Sequence, residues 1–297
     1  MLKFIRVFIC LFILAIPFNS VYAQKKRIDK LPKELEEISG LVFLNDTILI
    51  SHNDGGHLPI LYFLNLKGKE IHRVMVDGAT NIDWEDIAFD GKGFLYVGDI
   101  GNNDNARKDL CIYKINTKGI LKKENVKADK INISYSEQNS FPEAKPTRYF
   151  DAEGMAFLND SLYIFTKCRT EPFTGKSYVY KIPTKAGTYK LVKQFELFLG
   201  KDGWYKDSAT AAEIRENKCY ILTYNRLILY TIEDGKFKFS RNILLAPITQ
   251  VESVAVNSKG EVYIADEKQK FLGGGNLYKV KTDKIRKVKK KNKSNKK

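Results

Sequence analysis

The chain is poor in the residues that most often build catalytic and metal centres. Among 297 residues there are three histidines and four cysteines, too few for a zinc array or a cysteine-rich scaffold. There is no G-x-S-x-G, no phosphate-binding loop and no dinucleotide fingerprint after a strand, and Gly273-Gly274-Gly275 falls in a late turn where flexibility suffices. Beyond the N-terminal segment no apolar run reaches spanning length. What is present in quantity is core material. A 43% hydrophobic and 12% aromatic content excludes wholesale disorder, and the length allows one large domain or two ordinary ones.

Residues 1–23 read as a cleaved secretory leader. Lys3 and Arg6 precede an apolar run from Val7 to Phe18, and Val21-Tyr22-Ala23 stands before Gln24 as a small-residue cleavage site. The alternative is a membrane anchor, but the run is short for a span of about 20 residues. A periplasmic or secreted location is therefore expected, with no transmembrane span after cleavage. Cys10 leaves with the leader. Cys111, Cys168 and Cys219 then allow at most one internal disulfide, and buried free thiols are expected.

The formal net charge is +15, a figure that invites a nucleic-acid reading. Ten Lys or Arg and one Asp lie between 281 and 297, and two more cations lie in the leader, so only +4 belongs to the chain between them. The terminal stretch has neither aromatics nor periodicity, and reads as a basic disordered tail without a specific nucleic-acid partner.

The chain repeats itself. Ser39-Gly40-Leu41-Val42-Phe43-Leu44-Asn45-Asp46 aligns with Glu153-Gly154-Met155-Ala156-Phe157-Leu158-Asn159-Asp160. Related units start at 85, 210 and 252, each an apolar run followed by a second run and a Tyr-bearing third one. Spacings of 46, 68, 57 and 42 residues suit one four-stranded blade apiece. The pattern predicts an all-β fold, a β-propeller of five blades over 24–280, with six as the alternative if another blade occupies Asn105 to Tyr149. Lys26 to Leu31 is expected to supply the outer strand that closes the ring.

Innermost strands of a propeller begin near one mouth of the central channel, so equivalent repeat positions form rings there. One ring reads Ser39, Glu85, Glu153, Thr210 and Glu252; two residues earlier it reads Glu37, Asp83, Asp151, Ser208 and Gln250. The second strands end in His52, Asp99, Thr166, Thr223 and Asp266, followed by Asn53, Ile100, Lys167, Tyr224 and Glu267. Antiparallel pairing brings both sets to the same mouth. Carboxylates gathered there repel unless a cation or shared protons neutralise them, and a hard cation such as Ca²⁺ takes 6 to 8 oxygen ligands. The competing account is that these groups cap the blades through hydrogen bonds.

The strings Asp83-Trp84-Glu85-Asp86-Ile87-Ala88, Gly98-Asp99-Ile100-Gly101-Asn102-Asn103, Phe150-Asp151-Ala152-Glu153-Gly154 and Thr166-Lys167 resemble a family of secreted bacterial β-propellers of largely uncharacterised function. That family is distantly similar to the senescence-marker/gluconolactonase and phytase-like propellers. The resemblance runs from Glu37 to Val280 and implies the location of a site: a calcium or similar ion at the channel mouth, held by carboxylates such as Glu37, Asp83, Glu85, Asp151, Glu153 and Glu252. It carries over no catalytic set.

The candidate catalytic residues are thus His52, Glu85 and Glu153, with His52 a general base or ligand. Candidate ligand-binding residues are Asn53, Asp99, Lys167, Arg169, Tyr224 and Glu252; candidate metal ligands are Glu37, Asp83, Glu85, Asp151 and Glu153. The string Asn102 to Asn105 reads as a polar turn, and His57 as a solvated loop residue. Arg107 and Arg148 add cations near the mouth. Trp84, Tyr149, Tyr205 and Tyr224 offer either a stacking wall or core packing, of which packing is the commoner use. The expectation is a monomer that binds a small polar molecule through a divalent cation, with ester or lactone hydrolysis as the candidate activity. The alternative is a non-catalytic module that binds an envelope protein or glycan.

Overall fold

The computed structural model describes residues 20–269 and 273–281. The expected leader up to Asn19, with Cys10, and the basic tail beyond Lys281 lie outside the described residues. Each repeat unit forms an antiparallel meander. The first is β2 (Ile38–Asn45), β3 (Ile48–Asn53), β4 (Ile60–Asn65) and β5 (Glu70–Asp77); the second is β6 (Trp84–Phe89), β7 (Phe94–Asp99), β8 (Cys111–Asn116) and β9 (Asn125–Tyr135). The third is β10 (Asp151–Leu158), β11 (Ser161–Lys167), β12 (Lys176–Pro183) and β14 (Lys193–Phe198), with β13 (Gly187–Leu191) pairing in parallel with β9. The fourth is β15 (Ala211–Arg215), β16 (Lys218–Thr223), β17 (Arg226–Glu233) and β18 (Lys236–Ala246). The fifth is β19 (Val251–Val256), β20 (Val262–Asp266) and β21 (Asn276–Val280), completed by β1 (Ser20–Lys30).

The inner strands are apolar throughout because neighbouring sheets cover both their faces: all six residues of β19 are buried. Outer strands alternate, as β9 does from Lys130 to Tyr135. The inner strands β2, β6, β10, β15 and β19 contact one another in a closed cycle. An apolar core fills each gap between adjacent sheets. One example joins Val42 and Ile50 to Trp84 and Val97; another joins Phe43 and Leu49 to Ala255 and Tyr263, sealing the last group to the first. This is a β-propeller, as the repeats predict. Trp84 is fully buried in the first of these cores, where truncation of such a side chain to alanine costs about 3–5 kcal/mol.

Closure works as expected. Lys25 to Lys30 run antiparallel to β21. Ser20 to Gln24 pair in parallel with β18, so β1 crosses the expected cleavage point after Ala23. The stretch 105–149 holds β8, β9 and short turns, and adds no separate four-stranded group among the described residues. Cys111, Cys168 and Cys219 are buried free thiols. No helix among the described residues is long and apolar enough to cross a membrane.

A carboxylate cup at the channel mouth

The acidic ring is aimed by β-bulges. The register of β6 on β7 skips Glu85, that of β10 on β11 skips Glu153, and that of β19 on β20 skips Glu252. A bulged residue has no opposite partner and its strand bends locally, which re-aims the side chain. Three equivalent glutamates, each at least 94% buried, are thereby turned out of the ladder at the same end of three inner strands. Gly101, after the second strand of the second unit, leaves room for Glu85 and Asp83: a Cβ there would collide with Glu85 Oε1 and the Asp83 carboxyl.

Below the glutamates the axis is tied shut. Asp86, fully buried, accepts hydrogen bonds from Ile87 N (2.9 Å), Met155 N (2.8 Å) and Ala212 N (3.0 Å). One carboxylate thus joins β6, β10 and β15, two of which are not neighbours in the cycle. Gly154 makes room, since its Cβ would lie 2.9 Å from that of Ala212. Burial pushes the Asp86 carboxyl up to about 8, while the three N–H donors pull it down.

The cup contains two carboxylate triplets that share Glu85. Oxygen atoms of Glu85, Asp151 and Glu153 lie within 4.8 Å of one another, and so do those of Asp54, Asp83 and Glu85. The first triplet is matched by cations. Lys167 Nζ is 3.0 Å from Glu153 Oε1, and Arg169 reaches Asp151 Oδ2 through Nε (2.5 Å) and Glu153 Oε1 through Nη2 (3.2 Å). Burial works against the Lys167 charge, yet Glu153 holds its ammonium well above the ordinary lysine range. Asp151 Oδ1 also accepts Asn102 N at 2.7 Å.

Among the described residues the second triplet has no such partners. Burial pushes Glu85 well up, and the neighbours that push further are Glu153, Asp54, Asp83 and Asp151, all carboxylates. Asp83 is raised to about 7 by burial, then Asp54 and Asp151, with Arg107 opposing. Asp54 is raised by burial as well. Both aspartates are partly open to solvent. Across the cup Glu252 is pushed up to about 7 by burial against Lys167, and Glu267 to about 9 by burial and Glu252. Gln250 donates to Glu267.

The rim on the cationic side is aromatic. Tyr224 hydroxyl accepts from Lys167 Nζ at 3.1 Å, its ring stacks on Tyr205 (4.9 Å, 19°), and Trp204 lies 5.8 Å away. Lys167 and Arg169 sit 5.3 and 5.2 Å from the Trp204 ring. Trp204 and Tyr205 begin a single helical turn, α1 (Trp204–Asp207), anchored by the buried ion pair of Asp207 with Arg226.

Of the residues expected from sequence, Glu85, Glu153, Asp83, Asp151, Lys167, Arg169, Tyr224 and Glu252 meet in this cup. His52 does not. It is fully buried, packs edge-on against Trp84 (5.5 Å), and points Nε2 at Gly40 without a hydrogen-bond partner among the described residues. Burial lowers its pKa to about 4, so it is neutral. Asn53 serves the loop before β2, donating to Glu34 O and accepting from Glu37 N. Glu37 is hydrogen-bonded to His57 Nε2 at 2.8 Å, and His57 is a partly exposed residue of the β3–β4 loop.

Asp99 forms an ion pair with Arg107 (Oδ1 to Nη2, 2.8 Å) and accepts from Asp83 N. It therefore positions Asp83 from behind. Asn102 and Asn105 form a polar turn, each accepting backbone N–H groups. Arg148 binds Glu143 O. Trp84 is core, and Tyr149 stacks on Tyr178 (4.1 Å) away from the wall, which Trp204 supplies instead. Sequence reasoning missed Asp54, Asp86 and Trp204. Asp54 lies outside the aligned repeat positions. Asp86 stands where the other units have Gly40, Gly154, Ala211 and Ser253, an irregularity that was the available signal.

No family model matches the sequence, and no curated protein matches it. Solved structures do match. A glutaminyl cyclase from Myxococcus xanthus aligns with TM-score 0.55 at 13% identity, over 88% of this chain and 97% of that one. A PQQ-bound aldose sugar dehydrogenase from Streptomyces coelicolor aligns with TM-score 0.50 at 10% identity, over 88% and 98%. A gluconolactonase from Xanthomonas campestris is more distant, with TM-score 0.42 at 11% identity, over 78% and 68%. The likeness is one of fold.

Proposed function

We propose that the channel mouth is a binding cup for a small polar molecule, that its Asp54–Asp83–Glu85 side holds a divalent cation of the Ca²⁺ type, and that the protein is a hydrolase of esters or lactones. The observation that carries this reading is the uncompensated triplet beside the compensated one. Buried carboxylates without a cation hold protons or bind a metal, and oxygen-only donors suit a hard cation. Asp54, Asp83 and Glu85 fit that role, and the partial exposure of the two aspartates leaves the ion an entry path. A bound divalent cation supplies neutralising charge and polarises a carbonyl oxygen. Fold likeness selects no reaction, since propellers host unrelated chemistries.

The chain's own residues supply the rest. Lys167 and the Tyr224 hydroxyl are donors facing the cup, suited to a developing oxyanion. Glu252, poised near neutrality, can take and return a proton at the pH of its surroundings. His52 is neutral and sealed in the blade, and is left out of the reacting set. The test is calorimetric titration of the metal-free protein with CaCl₂, followed by a panel of chromogenic esters and lactones with Glu252→Gln as the control. Saturable Ca²⁺ binding that Glu85→Gln abolishes supports the cation site. Turnover lost in Glu252→Gln supports the hydrolase; absence of both overturns the reading.

A further inference from the structure

Large apolar side chains are unevenly exposed. Among the described residues eleven stand out to solvent, and six of them, Leu58, Ile82, Phe141, Trp204, Tyr205 and Ile248, are exposed by 38–67%. Each of the six lies in a loop that leads into an inner strand, or in the β3–β4 loop. Antiparallel pairing puts all of those loops on the mouth face. The opposite face carries one, Leu121, beside the turn into β9. The loops are held in place: Asn81 donates to Asn53 O (3.0 Å) and Asp54 O (2.7 Å), which fastens the Leu58 loop to the Ile82 loop. Six such groups on the mouth face against one on the opposite face is a division that a small polar molecule inside the cup does not account for.

We propose that the mouth face docks a polypeptide segment that presents a lysine or arginine side chain flanked by apolar residues. The apolar flanks lie against the rim, and the cationic end enters the cup. Charge complementarity selects this occupant: Asp54, Asp83 and Glu85 have no ion pair among the described residues, whereas Lys167 and Arg169 are already paired with Glu153 and Asp151. A buried aromatic or basic anchor inside an apolar surround is the usual energetic centre of such an interface. The inference goes beyond the hydrolase reading and holds if the protein turns over nothing. Because the basic side chain and a divalent cation use the same carboxylates, each weakens the binding of the other.

Selection of random dodecapeptides displayed on phage, against the full protein without metal, tests it. The expected consensus has Lys or Arg next to apolar residues. Synthetic versions should bind about tenfold more weakly when the basic residue is changed to Glu. They should bind about fivefold more weakly to the Ile82→Ser/Ile248→Ser double variant, whose melting temperature and Ca²⁺ response stay as in the parent because both positions are exposed. An acidic or neutral consensus, no enrichment over an unrelated control, or indifference to the double variant overturns the proposal. Concentration-dependent dimerisation that the double variant abolishes would assign the face to a second copy of this chain, and would overturn it too.

Discussion

The two carboxylate triplets of the mouth share Glu85, yet differ in burial and in what neutralises them. On one side Asp151 and Glu153 are locked by Arg169 and Lys167. On the other, Asp54 and Asp83 meet Glu85 with no ion pair among the described residues. Propeller symmetry accounts for the likeness, because a bulged glutamate recurs in both blades. The difference comes from the ends of the second strands: Lys167 follows β11's Thr166, whereas the equivalent positions of the first two blades are Asn53 and Ile100. An acidic ring is therefore not one site. One part is structural ionic packing, and the other is an open valence.

The largest effect should come from breaking the compensated side. Lys167→Met leaves Glu153 buried with Arg169 as its remaining ion-pair partner, and should cost up to about 3–5 kcal/mol in urea unfolding; a loss below about 1 kcal/mol would show that the pair is not a structural unit. Next comes cation binding. Ca²⁺ at a hundred times its dissociation constant should stabilise the parent by about 2.7 kcal/mol, seen as a rise in melting temperature that Asp83→Asn/Glu85→Gln removes. Gly101→Ala, whose Cβ would strike both Glu85 and Asp83, should cost about 1–3 kcal/mol and also weaken the Ca²⁺ response. Trp204→Ala should cost about 1–2 kcal/mol, since the residue is 38% exposed but packs near Tyr224 and two cations, and should leave the Ca²⁺ response intact.

The open side also predicts a sign for pH. Asp83 and Glu252 titrate near 7 in the folded protein, far above their unfolded values. The folded state therefore holds protons that the unfolded state has lost, and stability must fall as pH rises through this range. His52, lowered to about 4, has the opposite slope between about 4 and 6.5, and Lys25, lowered to about 8, opposes above 8. The window from pH 6.5 to 8 isolates the carboxyls. Metal-free protein should lose melting temperature across it, and Glu252→Gln should flatten the loss. Ca²⁺ should lessen it, because binding expels the protons held on the Asp54–Asp83–Glu85 side. A melting temperature that rises with pH in metal-free protein would contradict the assignment.

Much of the architecture was legible because each blade is a local meander whose apolar inner strands and polar turns repeat in register. The match of 39–46 to 153–160 was enough to predict the fold, and the columns through Glu85, Glu153 and Glu252 located the mouth. Local patterns do not report which loop residue folds back over the axis, so Asp54 escaped notice. Nor do they separate a polar residue that faces the cup from one sealed behind it. His52 stands one residue from Asn53 at the end of β3, but β3's alternation turns its ring toward Trp84. Trp204 lay in an irregular loop with no repeat partner. Its place on the rim depends on the Asp207–Arg226 anchor, a contact across 19 residues.

The central claim is that the Asp54–Asp83–Glu85 side is a cation site and the Asp151–Glu153 side is not. It is tested most directly by calorimetric Ca²⁺ titration of the metal-free parent at pH 7.5, of Glu85→Gln and of Asp83→Asn, in two buffers of different ionisation enthalpy. The account predicts one site per chain in the parent, proton release on binding, and loss of binding in both variants. No binding heat in the parent, or binding that survives both substitutions, would contradict it.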